Sequence, residues 1–358
     1  MNNSSVYVKT DCLKFRGDLP CLPHKKFGFH CQNCPEYVQT KGKILIIKLG
    51  AIGDVIRTTP LLHKIAAEYP DYAVHWLTYS PEILDKDSVT RIFPVTVENI
   101  ELIKNIKYDL LFNLDKDPIA IALANQVQAK KKHGFTIDEF GHATYFPSEA
   151  SKHKWLTGLF DDLNKENTKH YVQEIFEICG FEFGGEEYIL KVEEPFAEYV
   201  PEPGKKVVGL NTGCGGRWTS RLWAEDYWVT TAKSLLEKGY DVILLGGEQE
   251  HEKNLRLQKA SGAKYFGYFP LKKFIALVDR CDLVITAVTM GMHIAIGLGK
   301  KLVLFNNIFN KNEFYLYDKG VILEPDYDCP CYFAATCPND CMQYLYPETV
   351  IEETGKLL

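Results

Sequence analysis

The sequence predicts an α/β fold in which two doubly wound, Rossmann-like domains with parallel sheets face each other across a cleft. Three observations lead to this prediction. Apolar strand patterns alternate with helical patterns from Lys43 onward, as in a parallel sheet wrapped by helices. The alternation is interrupted by a run rich in Gly, Pro and acidic residues at 181–205, which predicts a linker. The 358 residues suffice for two domains of about 150 residues each.

The first predicted domain covers residues 41–180 and follows a cysteine-rich segment at 1–40. Its first strand, KILIIKL at 43–49, is an almost continuous apolar run, as expected for a strand covered on both faces. The segment HYVQEIFEICG, near the end of the domain, has apolar residues at helical spacing and predicts an amphipathic helix. Between them we predict strands at 73–78 and 108–114 and helices near 54–68 and 117–127.

The second predicted domain covers residues 206–325, and a cysteine-rich tail with a terminal helix follows at 326–358. Four strand patterns alternate with four helical patterns in this domain. The strands are predicted at 206–212, 241–247, 282–288 and 301–307, and the helices near 225–238, 249–261, 271–281 and 289–298.

Composition and charge exclude several classes of protein. With 46% hydrophobic and 25% charged residues, the composition is that of a globular protein and excludes disorder, collagen and coiled coil. The net charge of -6 gives no basic surface for phosphates, so we expect no nucleic-acid partner. The longest charge-free run, Leu283 to Gly299, has 17 residues, whereas a membrane span needs about 20. No secretory signal opens the sequence, so we expect a cytoplasmic protein.

Ligands of doubly wound sheets bind beyond the carboxyl ends of the strands, which makes the loops there the candidate site. These loops lie at 49–54, 211–221, 246–250 and 288–293 and are rich in glycine. The first strand is not followed by the GxGxxG of a dinucleotide site, and GLGKK at 297–301 lacks the P-loop pattern. The ligand is therefore expected to be held in some other way.

The loop after the first strand, KLGAIGDVIRTTP, combines two glycines with a carboxylate. Gly50 and Gly53 predict a tight turn, and Asp54 stands where the next helix opens. Asp54 is a candidate catalytic base at this position. A helix N-cap is an equally good interpretation, because aspartate is common there.

The loop LNTGCGGRWTSRLW joins a strand to a helix and has the groups that bind a diphosphate. Backbone N–H groups around Gly213, with Thr212, Arg217 or Arg221, could hold the phosphates. The alternative is a flexible surface loop with solvated arginines. In the next strand-end loop, Glu250 is suited either to a ribose hydroxyl pair or to capping a helix.

His293 lies in an apolar helical stretch between Met292 and Ile294. A buried structural histidine is the usual interpretation of such a position. At the mouth of a cleft it would instead be a ligand-binding residue.

The eleven cysteines are concentrated at the two ends of the chain. Disulfides are improbable in a cytosolic protein, so burial, chemistry or a metal must explain these residues. The first tetrad consists of Cys12, Cys21, Cys31 and Cys34. Its surroundings are too polar and too rich in Gly and Pro to order by burial alone, so we predict a structural metal, with zinc ahead of iron. A redox role and solvent-facing thiols are the alternatives.

The second tetrad stands in the tail and has tighter spacing. It consists of Cys329, Cys331, Cys337 and Cys341. The sequence favours neither the presence nor the absence of a second metal site at this tetrad. A single site shared between the two termini is a further alternative.

Four segments together resemble the heptosyltransferases, glycosyltransferase family nine. They are KLGAIGDVIRTTPLL, NTGCGGRW, LLGGEQE and CDLVITAVTMGMHIAIGLGKKLVLF, and the resemblance spans roughly residues 43–325. It implies a GT-B fold, inverting transfer without a catalytic metal, and a nucleotide diphosphate sugar, typically ADP-heptose, held mainly by the C-terminal domain. The acceptor would be a lipopolysaccharide core, another surface glycan, a lipid-linked glycan or a protein. Peripheral contact with the inner membrane is a further expectation.

The resemblance also implies roles for individual residues. Asp54 matches the proposed general base in the GD motif, and Thr212 and Arg221 match the phosphate-contacting loop. Glu250 lies near the ribose-binding acid, and His293 matches the histidine of the motif DTG-L-x-H. The related autotransporter heptosyltransferases carry a cysteine-bound iron.

The sequence departs from the family at the start of that motif. Val288, Thr289 and Met290 stand where family members usually have Asp-Thr-Gly, so Thr289 keeps its place in the donor site while the carboxylate expected to contact the sugar is absent. Two other functions remain open. A GT-B nucleotide-sugar epimerase would form product from the donor alone, and a noncatalytic metal-binding scaffold would have no affinity for nucleotides.

Overall fold

The structure is a computed structural model that describes residues 7–358 and divides into two compact units. Unit 1 comprises the residues up to Gly50, together with Thr59–Trp155 and Ile175–Glu182. Unit 2 comprises Ala51–Thr58, Leu156–Glu174 and Phe183–Leu358. Each unit is built on its own sheet.

The described residues contain eleven β-strands. They are β1 (Gly42–Ile47), β2 (Tyr72–Thr78), β3 (Arg91–Pro94), β4 (Lys107–Asn113), β5 (Gln128–Ile137), β6 (Ala143–Tyr145), β7 (Val207–Asn211), β8 (Asp241–Leu245), β9 (Leu283–Ala287), β10 (Lys301–Phe305) and β11 (Gly320–Leu323).

The described residues contain thirteen α-helices, one before the first strand and the others between or after the strands. They are α1 (Leu22–Phe27), α2 (Ile52–Ile56), α3 (Leu61–Glu68), α4 (Val97–Lys104), α5 (Pro118–Gln126), α6 (Glu149–Leu156), α7 (Asp161–Glu166), α8 (Tyr171–Ile178), α9 (Glu225–Glu237), α10 (His251–Ser261), α11 (Leu271–Asp279), α12 (Met290–Gly297) and α13 (Pro347–Leu357).

The sheet of unit 1 has the strand order β3-β2-β1-β4-β5-β6, and all pairs are parallel except β5 with β6. The central strand β1 has four consecutive residues, Ile44 to Ile47, with no solvent exposure. Its register sets Ile46 between Trp76 and Phe112, so the apolar run seen in the sequence becomes the middle of the core.

The sheet of unit 2 has the order β11-β10-β9-β7-β8, and all its pairs are parallel. Its core contains Trp223, Trp228 and Phe305, and Val350 of the terminal helix α13 packs into the same cluster. The parallel arrangement brings the carboxyl ends of β7, β8 and β9 to one edge. The two parallel sheets confirm the predicted α/β class.

The structure differs from the predicted elements in two respects, one concerning a helix and one concerning strands. The helix expected at 54–68 is divided into two helices, α2 and α3. A turn at 57–60, which ends with Pro60 immediately before α3, separates them. Strands β3, β5, β6 and β11 were not predicted; β5 begins with a charged run, KKKH, that hides its strand character. None of the helices in the described part of the chain combines the length and apolar character that a membrane crossing needs.

The unit boundaries also differ from the predicted domain boundaries of 41–180, 181–205 and 206–325. Residues 51–58 and 156–174 belong to unit 2, although they precede the predicted linker. The predicted linker has no helix or strand, but Phe196 and Tyr199 in it are buried. These buried aromatic residues attach the segment 183–205 to unit 2. The segment resembles a linker in the sequence because most of its other residues are polar, Gly or Pro.

Candidate functional site

The loops at the carboxyl edge of the unit 2 sheet are tied to one another by hydrogen bonds. Asn211, at the end of β7, donates its side-chain amide to the hydroxyls of Thr286 (2.8 Å) and Thr289 (3.1 Å). The Thr289 hydroxyl in turn accepts from the N–H of Gly291 and caps α12. Three predicted ligand loops, at 211–221, 246–250 and 288–293, therefore meet at this edge, as the parallel topology requires.

Gly213 and Glu250 lie against each other. A Cβ on Gly213 would stand 2.1 Å from the carboxyl carbon of Glu250, so any side chain here would have to displace the Glu250 carboxylate. Glu250 accepts a hydrogen bond from the N–H of Gly247 at 3.0 Å. One carboxylate oxygen of Glu250 therefore has the capping role that the sequence offered as an alternative. The carboxylate also lies beside Gly213 in the candidate phosphate loop.

Lys253 and Asn254 hold the start of this loop from the other side. The Lys253 ammonium donates to the carbonyl of Thr212 at 2.7 Å, and burial lowers the pKa of Lys253 while Glu250 opposes this. The Thr212 hydroxyl donates to the side-chain oxygen of Asn254 at 2.6 Å and is buried. Thr212 therefore anchors the loop through its side chain.

Arg221 is buried, contrary to the interpretation of the loop arginines as solvated. Its guanidinium donates to the carbonyls of Val288 and Cys214, and its Nε has no hydrogen-bond partner. Burial lowers the pKa of Arg221, with Cys214 opposing. Within residues 7–358 no carboxylate forms an ion pair with it. Arg217, in contrast, is exposed, with its guanidinium 5.7 Å from the ring of Trp218.

Asp54 lies in the first turn of α2, in unit 2. It is not the N-cap residue itself: it stands three positions later and accepts from the N–H of Ala51 at 3.2 Å. Its other oxygen pairs with Arg57 at 2.8 Å, and Arg57 also pairs with Glu313 at 2.9 Å. Burial alone would lower the pKa of Arg57, but the two carboxylates outweigh it and raise that pKa. The Asp54 side chain keeps 31% of its surface exposed.

The orientation of Arg57 is fixed by a ring below it. Its guanidinium carbon lies 3.4 Å from the centroid of the Tyr171 ring. Arg57 is thus positioned by Glu313 and the Tyr171 ring, and its ion pair with Asp54 fixes the orientation of the Asp54 carboxylate.

His293 lies against the same helix. A Cβ on Gly53 would stand 2.5 Å from Cδ2 of His293, so the glycine is what allows α2 and α12 to approach. The His293 ring stacks on Tyr188 at 6.2 Å between centroids, and its Nδ1 has no hydrogen-bond partner. Burial lowers the pKa of His293 to about 3, helped by Arg57, so the imidazole is neutral at pH 7. Gly50 is under no such constraint, since an added Cβ would meet only Tyr79, at 3.8 Å.

Three cysteines of the tail form a cluster that could hold a metal ion. The sulphur atoms of Cys329, Cys337 and Cys341 all lie within 4.8 Å of one another. Cys331 interacts with Cys329 and Cys337, which raises its pKa to about 11. Burial would raise the pKa of Cys337, but hydrogen bonds from its neighbours, first the backbone of Cys341, lower it to about 7.

The N-terminal cysteines are less tightly gathered. Cys12, Cys21, Cys31 and Cys34 line a single cavity of about 30 Å³, together with Phe15 and Phe29. No three of these four sulphur atoms lie as close together as those of the tail cluster. All eleven cysteines are free thiols.

Sequence reasoning missed four polar residues of this arrangement, namely Arg57, Lys253, Asn254 and Glu313. Three of them had a local signal, since Arg57 follows Asp54 by three residues and Lys253 and Asn254 follow Glu250 by three and four, which sets them on a shared helical face. Glu313 had none, because 256 residues separate it from Arg57.

Comparisons with known proteins identify the family and the fold of the chain. Residues 100–312 match the family model described as glycosyltransferase family 9 (heptosyltransferase). The lipopolysaccharide heptosyltransferase 2 of Escherichia coli and that of Salmonella typhimurium are each 27% identical over 124 residues. These matches cover 33% of this chain and 32% of each relative, so the chain matches about a third of the relatives' length.

Solved structures extend the likeness over most of the chain. A glycosyltransferase of family 9 from Veillonella parvula has a TM-score of 0.68 and 16% identity, covering 89% of this chain and 97% of its own. The ADP-heptose lipopolysaccharide heptosyltransferase II of E. coli has a TM-score of 0.63 and 17% identity, covering 88% and 98%. The iron-containing dodecameric glycosyltransferase TibC of enterotoxigenic E. coli has 0.55 and 12%, covering 89% and 77%. At these identities the likeness is one of fold.

Proposed function

The chain belongs to glycosyltransferase family 9, and from this premise we propose that it is an inverting glycosyltransferase. The donor is a nucleotide diphosphate sugar, with ADP-heptose as the first candidate. The acceptor is a hydroxyl of a lipopolysaccharide core, another surface glycan, a lipid-linked glycan or a protein. Solved relatives support the donor class, since the E. coli enzyme is named for ADP-heptose and TibC has been crystallised with ADP-D-β-D-heptose.

The observation that carries the proposal is the buried guanidinium of Arg221. It lies at the carboxyl edge of a parallel sheet without a carboxylate partner in the described residues, and its Nε is unsatisfied. A buried cation of this kind is costly unless an anion completes it. A diphosphate bound against the glycine loop 213–216 would supply that anion and would receive charge-assisted hydrogen bonds in return.

The chemistry assigned to the other side of the site is general base catalysis by Asp54. As the acceptor oxygen attacks the anomeric carbon, Asp54 takes the proton of the hydroxyl, and the bond from the anomeric carbon to the diphosphate breaks with inversion. The departing diphosphate needs positive groups, which Arg221 and Lys253 provide. Arg57 serves as a positioning residue, because it fixes the carboxylate that must meet the acceptor.

Val288 bears on the identity of the donor sugar. Its position is that of the carboxylate expected in the family motif, and its carbonyl here accepts from Arg221. A sugar that relied on a carboxylate at this point would lose a hydrogen bond to one of its hydroxyls. The proposed donor sugar is accordingly heptose or a related sugar that does not depend on a carboxylate at this position.

Calorimetry with ADP, UDP, GDP and CDP tests the donor class. We expect one diphosphate to bind the wild type in the micromolar range and to lose affinity in the Arg221→Ala variant. Arg256→Ala is the matched control, because Arg256 pairs with Glu225 on the exposed face of α10. Product formed from the donor alone would favour an epimerase, and the absence of binding by all four nucleotides would overturn the proposal.

We propose further that the N-terminal tetrad holds a structural metal, zinc in the first instance and iron as the alternative. Among residues 7–41 only Pro23 is buried, so this segment has no core of its own. All four cysteines nevertheless line one cavity of about 30 Å³, and a metal ion bound by their thiolates would supply the order that burial does not. Such a closed site would stabilise the fold and take no part in the transfer, for which we expect no catalytic metal.

Elemental analysis tests this metal. Protein purified without added metal should contain zinc or iron, and Cys31→Ser with Cys34→Ser should remove one equivalent and lower the melting temperature. Metal-free protein of undiminished stability, or a disulfide among these four cysteines under reducing conditions, would contradict the proposal. A cytoplasmic location, peripheral contact with the inner membrane and the lack of a nucleic-acid partner stay predictions.

A further inference from the structure

The cysteine segment of the tail, residues 329–341, lies directly on the loop that contains Arg221. The backbone N–H of Ser220 donates to the carbonyl of Ala335 at 3.0 Å, and the Ser220 hydroxyl donates to the carbonyl of Ala334 at 2.7 Å. The Trp218 ring contacts the ring of Phe333 at 5.8 Å between centroids. Ser220 is the residue next to Arg221, so these contacts fix the backbone from which the guanidinium extends.

Asn307 joins the loop to the thiols themselves. Its side-chain amide donates to the carbonyl of Ser220 at 2.8 Å and to the sulphur of Cys341 at 3.2 Å. One side chain thus connects the cysteine cluster with the loop. The carbonyl that accepts from Asn307 belongs to the peptide bond that precedes Arg221.

The segment 329–340 is held to the rest of unit 2 by a few hydrogen bonds and ring contacts, among them the N–H of Phe333 donating to the carbonyl of Ile308 at 2.9 Å. It contains no helix or strand, and none of its residues is buried. Phe333 and Asp340 have positive φ angles of 52° and 44°, which side chains other than glycine adopt at a cost. Buried side chains and regular secondary structure are absent from this segment, so a cross-link through its sulphur atoms would add order to the few contacts that hold it.

The thiols have the arrangement that a thiophilic metal ion requires. Three sulphur atoms already lie within 4.8 Å of one another, and Cys329 and Cys337 are 3.5 Å apart. In a tetrahedral four-thiolate zinc site with Zn–S bonds of about 2.3 Å, the sulphur atoms are about 3.8 Å apart. Cys331 lies outside this close group of three, but it interacts with Cys337 and Cys329 and is the candidate for the fourth ligand.

We propose that a metal ion bound by Cys329, Cys331, Cys337 and Cys341 braces the donor-phosphate loop 213–221, so that metal occupancy sets the affinity for the nucleotide diphosphate. The effect on affinity rests on the proposed function, whereas the effect on the loop does not. The ion is neither at the reacting atoms nor a Lewis acid for the transfer. It acts by holding Ser220, and through it Arg221, in the position found here.

Two measurements on the full-length protein test the brace, before and after removal of metal with a chelator under reducing conditions. The first is trypsin cleavage after Arg217, an exposed arginine within the loop, followed by mass spectrometry. We expect cleavage at least tenfold faster in the stripped protein and protection again after zinc is restored. The second is calorimetry with ADP, whose dissociation constant should rise about tenfold on stripping.

Two double variants separate the tail site from the N-terminal one. Cys329→Ser with Cys331→Ser changes half-buried thiols and should reproduce both effects of stripping with loss of one metal equivalent. Cys31→Ser with Cys34→Ser is the matched control and should leave loop protection and ADP affinity within twofold of wild type. Unchanged cleavage and unchanged ADP affinity in the stripped protein would overturn the brace. If metal-loaded wild type binds no nucleotide, the proposed function fails, and trypsin cleavage alone then decides the inference.

Discussion

Replacing Gly53 with alanine tests whether Asp54 and His293 belong to one site. The added Cβ would stand 2.5 Å from Cδ2 of His293, whereas ordinary contacts are 3.4–4 Å, so α2 and α12 must separate by about 1 Å. His293 is buried, so moving its ring aside would require neighbouring side chains to repack. Overpacking of this kind costs about 1–3 kcal/mol, against a gain of about 0.5–1 kcal/mol from alanine in a helix. We expect a net loss of between zero and about 2.5 kcal/mol in the free energy of unfolding.

The assay is urea unfolding followed by tryptophan fluorescence, since three of the five tryptophans, Trp218, Trp223 and Trp228, lie in unit 2. Gly355→Ala in α13 is the matched control, because nothing lies within 4 Å of its Cβ position and alanine should stabilise there by up to about 1 kcal/mol. In a His293→Ala background, Gly53→Ala should become neutral or stabilising, a coupling of at least about 1 kcal/mol.

The same change should also reduce turnover. A displacement of about 1 Å at the helix that contains Asp54 can cost up to about 10²-fold in rate. If Gly53→Ala stabilises the protein as the control does, or if its cost persists when His293 is truncated, then the close approach of α2 to His293 is wrong, and with it the placement of Asp54.

Three further predictions concern single residues of the site. Asp54→Asn keeps an oxygen for the Ala51 N–H but loses basicity, so folding should be unchanged while transfer falls by about 10²–10⁴; near-normal turnover would end the role of Asp54 as base. Arg221→Ala should weaken binding of the nucleotide diphosphate by about 1.5–3 kcal/mol in calorimetry, and Arg217→Ala by less; equal affinity of Arg221→Ala and wild type would move the phosphate site to another loop. The imidazole of His293 should not titrate in NMR spectra between about pH 5 and pH 8, with His293→Gln identifying its signals. The pKa of His293 falls from 6.5 in the unfolded chain to about 3 in the folded protein, so below pH 6.5 the unfolded chain binds a proton that the folded protein does not. The free energy of unfolding is therefore unaffected by His293 above pH 6.5 and declines by about 1.4 kcal/mol per pH unit as the pH falls toward 3. An imidazole that titrates near 6.5 in the folded protein would contradict its burial.

The parts of the fold that have a local cause were predicted correctly. Strand β1 and the four strands β7 to β10 are apolar runs because both of their faces are covered, and that pattern is legible in the sequence. Strand β5 was missed because its first half is charged and only Phe135 and its neighbours in the second half are buried. Its position is set by pairing with β4, which is a property of the sheet and not of the segment.

The site divides in the same way. The proximity of Gly213, Glu250 and Thr289 could be predicted because each stands at a strand end, where topology alone brings loops together, and their role in donor binding stays a prediction. The burial of Arg221 could not be predicted, since it depends on the carbonyl of Val288, 67 residues away. The pairing of Asp54 with Arg57 had a local signal, but the second partner, Glu313, lies beyond any local pattern.

The path of the chain restricts how hybrids of this enzyme with relatives can be made. It passes between the two units after residues 50, 58, 155, 174 and 182, so neither unit is a continuous stretch of sequence. A single crossover in the segment 183–205 would join Gly53 and Asp54 of one parent to His293 and Glu313 of the other. The close contact between Gly53 and the imidazole of His293 would then be formed by residues from two different parents. A working exchange must therefore transfer residues 51–58 together with the C-terminal half.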